Sequence, residues 1–174
     1  MRGGRTIWVT PEHALPQVIE ASNPGHLITF TGPGKSPPDV PSSIRLYHFS
    51  FNDIAEPRDG LLAPNAEHIE ALIEAIRSWP GDSPLVLQCW MGISRSTAAA
   101  AIALALLDDR EPKEIGSIVR RASPTATPNP LMISLADHLL GLGGDFERGI
   151  KAIGRGAETP HGEPFQIDLA GAAL

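Results

Sequence analysis

The chain holds a single cysteine, Cys89, and an arginine, Arg95, with five residues between them in the run Leu85-Val-Leu-Gln-Cys89-Trp-Met-Gly-Ile-Ser-Arg95-Ser-Thr97. A cysteine acts as a nucleophile through its thiolate, and a guanidinium grips two oxygens of a phosphate in a planar fork that lysine cannot reproduce. A loop of this length can curl around one phosphate. Its backbone N–H groups, from Trp90, Met91, Gly92, Ile93, Ser94 and Arg95, then point inward, as they do at any helix N-terminus, and the helix dipole adds positive potential. Gly92 permits the backbone to approach closely. The field that holds the anion also favours the thiolate, so nucleophile and anion site share one cause.

Such a loop has to be delivered by a strand and continued by a helix. Leu85 to Gln88 is nearly all apolar and follows Pro84, the pattern of a parallel strand buried on both faces, which would place Cys89 at its carboxyl end. Ser96 to Leu107 is almost wholly small and apolar, a central helix packed on several sides and ending at Asp108-Asp109. Further strands are expected at Ile7–Val9, Leu27–Phe30 and Ile44–Phe51. Helices are expected near Glu12–Ile19, from Pro64 in a first turn through Ile76, over Lys113–Arg121, and over Pro130–Leu140 with Gly141 as its stop. Thr31 to Ser43, rich in glycine and proline, reads as a surface loop. The alternation of strands and helices predicts an α/β fold with a central, mostly parallel sheet flanked by helices.

At 174 residues the chain suits one domain, expected over residues 1–150, with 151–174 a tail that shows no clear period beyond a segment, Phe165–Leu169, able to dock as a strand. Fourteen basic against 20 acidic residues give a formal charge of −6, which argues against a general grip on nucleic acid or anionic membranes. A phosphate site must therefore be locally built. One cysteine excludes an internal disulfide framework and a cysteine-cluster metal site, and His13, His26, His48, His68, His138 and His161 show no metal-ligand spacing. No cofactor or metal is expected. The apolar run Thr6–Val9 is too short for a signal peptide core and no run reaches the length of a spanning helix, so a soluble cytoplasmic protein is expected. Gly32-Pro-Gly-Lys-Ser36 lacks the spacing of a nucleotide-binding loop.

Cys89, Gly92, Arg95 and Ser96 match the His-Cys-x-x-Gly-x-x-Arg-Ser/Thr signature of protein tyrosine phosphatases, and the chain from about Thr6 to Leu140 resembles the small dual-specificity phosphatases. Pro128-Asn129 is similar to their Ser-Pro-Asn segment, with Asn129 either supporting the loop or capping the helix that follows. The resemblance implies a tyrosine-phosphatase-like fold and hydrolysis of phosphotyrosine, with phosphoserine and phosphothreonine as further substrates, through a cysteinyl-phosphate. Phosphorylated proteins or small phosphomonoesters would be the partners. Ser96 would steady the departing thiolate, and an aspartic acid would protonate the leaving oxygen. Two aspartates are candidates for that acid: Asp53, 36 residues before the cysteine at the exit of a strand, and Asp59, 30 residues before it. Asp53 is favoured, since Arg58-Asp59-Gly60 reads equally well as a solvated turn. Two departures stand out: Gln88 replaces the family histidine, and Trp90-Met91 is bulkier than usual. They leave open a phosphate-binding module with little turnover, and a rhodanese-like sulfurtransferase, which also presents a cysteine in a phosphate-sized loop.

Overall fold

A computed structural model describes residues 5–169; residues 1–4 and the last five residues of the C-terminal tail lie outside them. Five strands form one sheet: β1 (Thr6–Pro11), β2 (His26–Thr31), β3 (Arg45–Ser50), β4 (Leu85–Cys89) and β5 (Phe165–Asp168), in the order β3-β2-β4-β1-β5. β3, β2, β4 and β1 run parallel, and β5 pairs antiparallel with β1. The sheet is thus the mostly parallel one expected, and Phe165–Asp168 docks on it as anticipated.

Side-chain alternation along the strands divides the apolar residues between two faces. On one face α1 (Leu15–Ser22) covers Leu27 and Val86 with Leu15 and Val18. The other face carries five helices: α2 (Ala66–Arg77), α3 (Arg95–Leu107), α4 (Ile115–Ala122), α5 (Pro130–Leu140) and α6 (Asp145–Ala152). Here Ile7, Val9, Ile28, Phe30, Leu85 and Leu87 meet the buried residues of those helices in the main core. α3 lies in its middle, buried from Arg95 through Leu104, which is why its sequence has no polar face.

Several boundaries differ from the sequence expectation. Glu12–Ala14 and Pro112–Glu114 are single 3₁₀ turns that lead into α1 and α4. Pro64 lies before α2 rather than in its first turn, because Asn65 takes the cap: its side chain accepts from His68 N–H at 3.0 Å while Asn65 N–H donates to His68 Nδ1 at 3.2 Å. α6 was not anticipated. Its eight residues bury only Phe146, Gly149 and Ile150, too short an apolar pattern to read.

His26, at the start of β2, is almost fully buried with both ring nitrogens lacking a hydrogen-bond partner. Burial, aided by the nearby charge of Arg45 and opposed by Asp82, lowers its pKa below the ordinary 6.5. A group that resists protonation in the folded state stabilises the fold above its unfolded pKa and loses that contribution as pH falls through the lowered value. Unfolding free energy is therefore expected to decline as pH drops below 6.5, and His26→Phe, which keeps a ring beside Tyr47, is expected to flatten that decline. Urea denaturation across pH 5 to 7.5 measures it. Parallel curves for the two proteins would contradict it.

Candidate active site

β4 ends at Cys89, and the chain turns through residues 90–94 into α3, which begins at Arg95. The turn is possible because Gly92 has φ +66° and lies against β1, where a Cβ would stand 2.6 Å from the Pro11 nitrogen. Four of the loop carbonyls accept from outside the loop. Trp90 C=O accepts from Glu12 N–H at 3.1 Å, Met91 C=O from Gly162 N–H at 2.8 Å, Ile93 C=O from Thr127 N–H at 2.9 Å, and Ser94 C=O from Asn129 N–H at 3.2 Å. In a trans peptide the N–H points opposite to the C=O of the same plane. Carbonyls turned outward therefore leave N–H groups of the loop facing its centre, the arrangement that favours an anion.

Cys89 is 2% exposed, with Sγ 3.0 Å from Ser96 Oγ in the first turn of α3. Arg95 is 6% exposed; its Nη1 donates to Phe51 C=O at 2.8 Å, which fixes the side chain, while its Nε has no partner among the described residues. Both side chains line a cleft of about 810 Å³. Trp90 and Met91 also line it, Trp90 being 64% exposed with Lys35 Nζ 4.8 Å from its ring centroid. Ile93 and Ser94 complete the loop side, whereas Gly92 turns its back on the cleft to pack against Pro11.

Asp53 reaches the cleft from the segment after β3. Its Oδ1 accepts from Ser94 Oγ–H at 2.7 Å and from Asn129 Nδ2–H at 2.8 Å. Asp59 does not line the cleft; it lies in an exposed turn closed by Leu61 N–H on Arg58 C=O at 3.1 Å, with Gly60 at φ +76°. Asn129 serves both of the roles weighed for it. Its Oδ1 caps α5 by accepting from Met132 N–H at 3.0 Å, while its N–H and Nδ2 hold the loop and Asp53.

Sequence reasoning missed the far wall. Residues 155–160, between α6 and β5, line the cleft opposite the loop. Gly156 N–H donates to Thr127 Oγ1 at 3.0 Å and Ala157 N–H to Pro124 C=O at 2.9 Å, and Arg120 of α4 donates to the carbonyls of Ala126, Ile153 and Gly154. Gly156, where a Cβ would stand 2.5 Å from the Thr125 backbone, marks a close approach of backbone to backbone, and Gly162 a tight one against the Gly92 carbonyl, the one available signal. Gln88 faces away from the cleft: it accepts from Thr29 Oγ1 on β2, in register beside it. Among the described residues, no cluster of three or more histidine, cysteine or carboxylate side chains could hold a metal, and no helix is long and apolar enough to cross a membrane.

No family model matches the sequence, and no curated relative matches it. Solved structures do. DUSP15 aligns with a TM-score of 0.58 at 17% identity, over 88% of this chain and 94% of its own. A mouse dual specificity phosphatase complexed with zinc tungstate aligns at 0.61 and 16%, over 84% and 85%. The fold is that of the dual-specificity phosphatases. PTPMT1, solved in complex with PI(5)P, shares the fold with a TM-score of 0.56 at 15% identity, over 86% of this chain and 94% of its own. Such identities speak for the fold; the chemistry rests on the residues within it.

The double duty of Asn129 gives a test of this geometry. Asn129→Ala loses cap and tether together and is expected to cost about 1–2 kcal/mol of stability. Asn129→Asp keeps an acceptor for Met132 N–H but sets a second carboxylate against Asp53. Two carboxyl groups in contact can share a proton, and they repel once both have lost theirs. Its stability deficit against wild type should widen as pH rises, read by urea denaturation. A deficit that stays constant with pH would show that Asp53 and residue 129 are not in contact.

Proposed function

We propose that the chain is a cysteine-dependent phosphomonoesterase acting on phosphotyrosine, and on phosphoserine or phosphothreonine, in proteins. The observation that carries the reading is Arg95: a guanidinium with a buried, unpartnered Nε, held beside Cys89 at the mouth of a loop whose N–H groups converge. A buried N–H without an acceptor is costly, and the oxygens of a bound phosphate are the acceptors that would satisfy it.

In the first half-reaction the Cys89 thiolate attacks phosphorus, the P–O ester bond breaks, and Asp53 delivers its proton to the leaving oxygen. The loop N–H groups and Arg95 stabilise the charge that gathers on the equatorial oxygens. In the second, water attacks the cysteinyl-phosphate, the Asp53 carboxylate accepts its proton, and the S–P bond breaks to release inorganic phosphate. Ser96 Oγ–H, 3.0 Å from the sulfur, donates to the thiolate as it leaves. Neither half-reaction needs a metal or cofactor.

A second reading, a phosphate-binding module with little turnover, is favoured by one observation: both bonds on Asp53 Oδ1 come from donors, which suit a carboxylate better than the protonated acid. Turnover of an aryl phosphate separates the two.

Cys89→Ser is expected to abolish turnover while leaving orthovanadate or phosphate affinity largely intact, and Arg95→Lys to damage both, since the bidentate fork is lost. Steady-state assays and calorimetry read the pair. Activity of Cys89→Ser within about tenfold of wild type would remove this mechanism.

Asp53→Asn is expected to lower kcat by about 10²–10⁴ on alkyl-like leaving groups and far less on p-nitrophenyl phosphate, whose phenolate departs unprotonated. Should Asp59→Asn show that dependence and Asp53→Asn not, the acid has been misassigned.

A further inference from the structure

Beside the cleft lies a second cavity of about 400 Å³, and the two share Thr127, Pro130 and Arg155 as a common partition. Pro128, Ile133 and Ile150 give the second cavity an apolar floor, and Lys151 stands with Arg155 on its rim. Apart from Arg95, Arg155 is the one cation lining the phosphate cleft among the described residues. It is paired only with Glu158, at 3.7 Å, and the two side chains are 78% and 85% exposed. A pair so exposed contributes little and is easily exchanged for another partner. A groove that continues from a phosphate site, crosses a loosely held cation and ends on apolar residues fits an extended chain rather than a small compact ester.

We propose that the two cavities form one substrate groove, in which the second takes an apolar side chain of a phosphorylated peptide and Arg155 takes a carboxylate beside it. The proposal rests on the phosphatase reading and deepens it: the preferred substrates are phosphorylated protein segments with an apolar and an acidic residue within reach of the phosphorylated one. Glu158, paired with Arg155, and Glu147, on the second cavity, compete with an incoming carboxylate, so the acid is taken by displacing Glu158 from Arg155 and its benefit is the difference between the two pairs.

The test uses phosphotyrosine peptides of equal length flanked by serine and glycine, by leucine, by glutamate, or by leucine and glutamate together. Flanks are placed on either side in separate peptides. Affinity is read by calorimetry on Cys89→Ser, which requires no turnover, and kcat/KM on the wild-type chain. The peptide with both residues is expected to bind about tenfold or more tighter than the serine-glycine one. Arg155→Glu should erase or invert the glutamate preference while keeping the leucine preference, Arg155→Lys should retain much of it, and Lys151→Glu should weaken it further. Equal affinity for all the peptides, or a glutamate preference untouched by Arg155→Glu, would overturn the proposal. Turnover without selectivity removes the groove and leaves the phosphatase reading standing. Selectivity in Cys89→Ser without turnover in wild type does the reverse, and makes the groove that of a binding module.

Discussion

The site depends on how the carbonyls of residues 90–94 are satisfied. A tight loop between a buried strand and a buried helix needs partners for its polar backbone, and here four of the carbonyls are served from three separate stretches of chain: the turn before α1, the segment before α5 at two places, and the segment before β5. Glu12, Thr127, Asn129 and Gly162 donate only backbone N–H groups to the loop, so the restraint is largely indifferent to side-chain identity. Its consequence is chemical. With the carbonyl halves of four peptides committed, their N–H halves are held toward the space over Cys89, the preorganisation that the proposed anion site would use.

The sheet order makes those donors neighbours. β1 and β2 flank β4 on opposite sides, so the chain leaving β1 toward α1 passes directly beside the loop that leaves β4, and binding at the carboxyl ends of such strands is the general habit of open α/β sheets. The long buried helix α3 then carries Arg95 and Ser96 in its first turn, while the Arg95 side chain is held by its hydrogen bond to the carbonyl of Phe51, just after β3. That same exit carries Asp53. Arg95 and Asp53 are therefore positioned by one short stretch, residues 51 to 53, and a displacement of it would disturb both together.

How much of this could be read beforehand follows the kind of force involved. The strand, loop and helix around Cys89 announce themselves through apolar runs and the cysteine–arginine spacing, because burial and anion binding both select residue types. Asp53 could be chosen over Asp59 because strand periodicity ends just before it, though its clamping by Ser94 and Asn129 could not, since hydroxyl and amide partners leave no periodic trace. The far wall at 155–160 was invisible for the opposite reason. It is held by backbone N–H groups and by glycines in close approach, and α6 before it is too short to show a face. Topology, not composition, brings it across the cleft: β5 must return to the free edge of β1, and the direct route from α6 passes over the loop.

Gln88 illustrates how a sequence departure is weighed once its direction is known. Along β4, Leu87 and Cys89 belong to the core shared with the five helices, while Val86 belongs to the face under α1; alternation puts Gln88 on that second face, where it is bonded to Thr29 rather than turned to the cleft. Thr10, Gln88 and Thr29 thus form a buried polar row across three parallel strands, next to Cys89. An amide there is neutral, so the groups that could favour negative charge near Cys89 all lie on its other side: the loop N–H groups, the N-terminus of α3, Arg95 and the Ser96 hydroxyl. A neutral, hydrogen-bonded row also avoids the cost of burying a charge in the middle of a sheet. The glutamine at position 88 accordingly bears on how the strand end is held rather than on the side of Cys89 that faces the cleft.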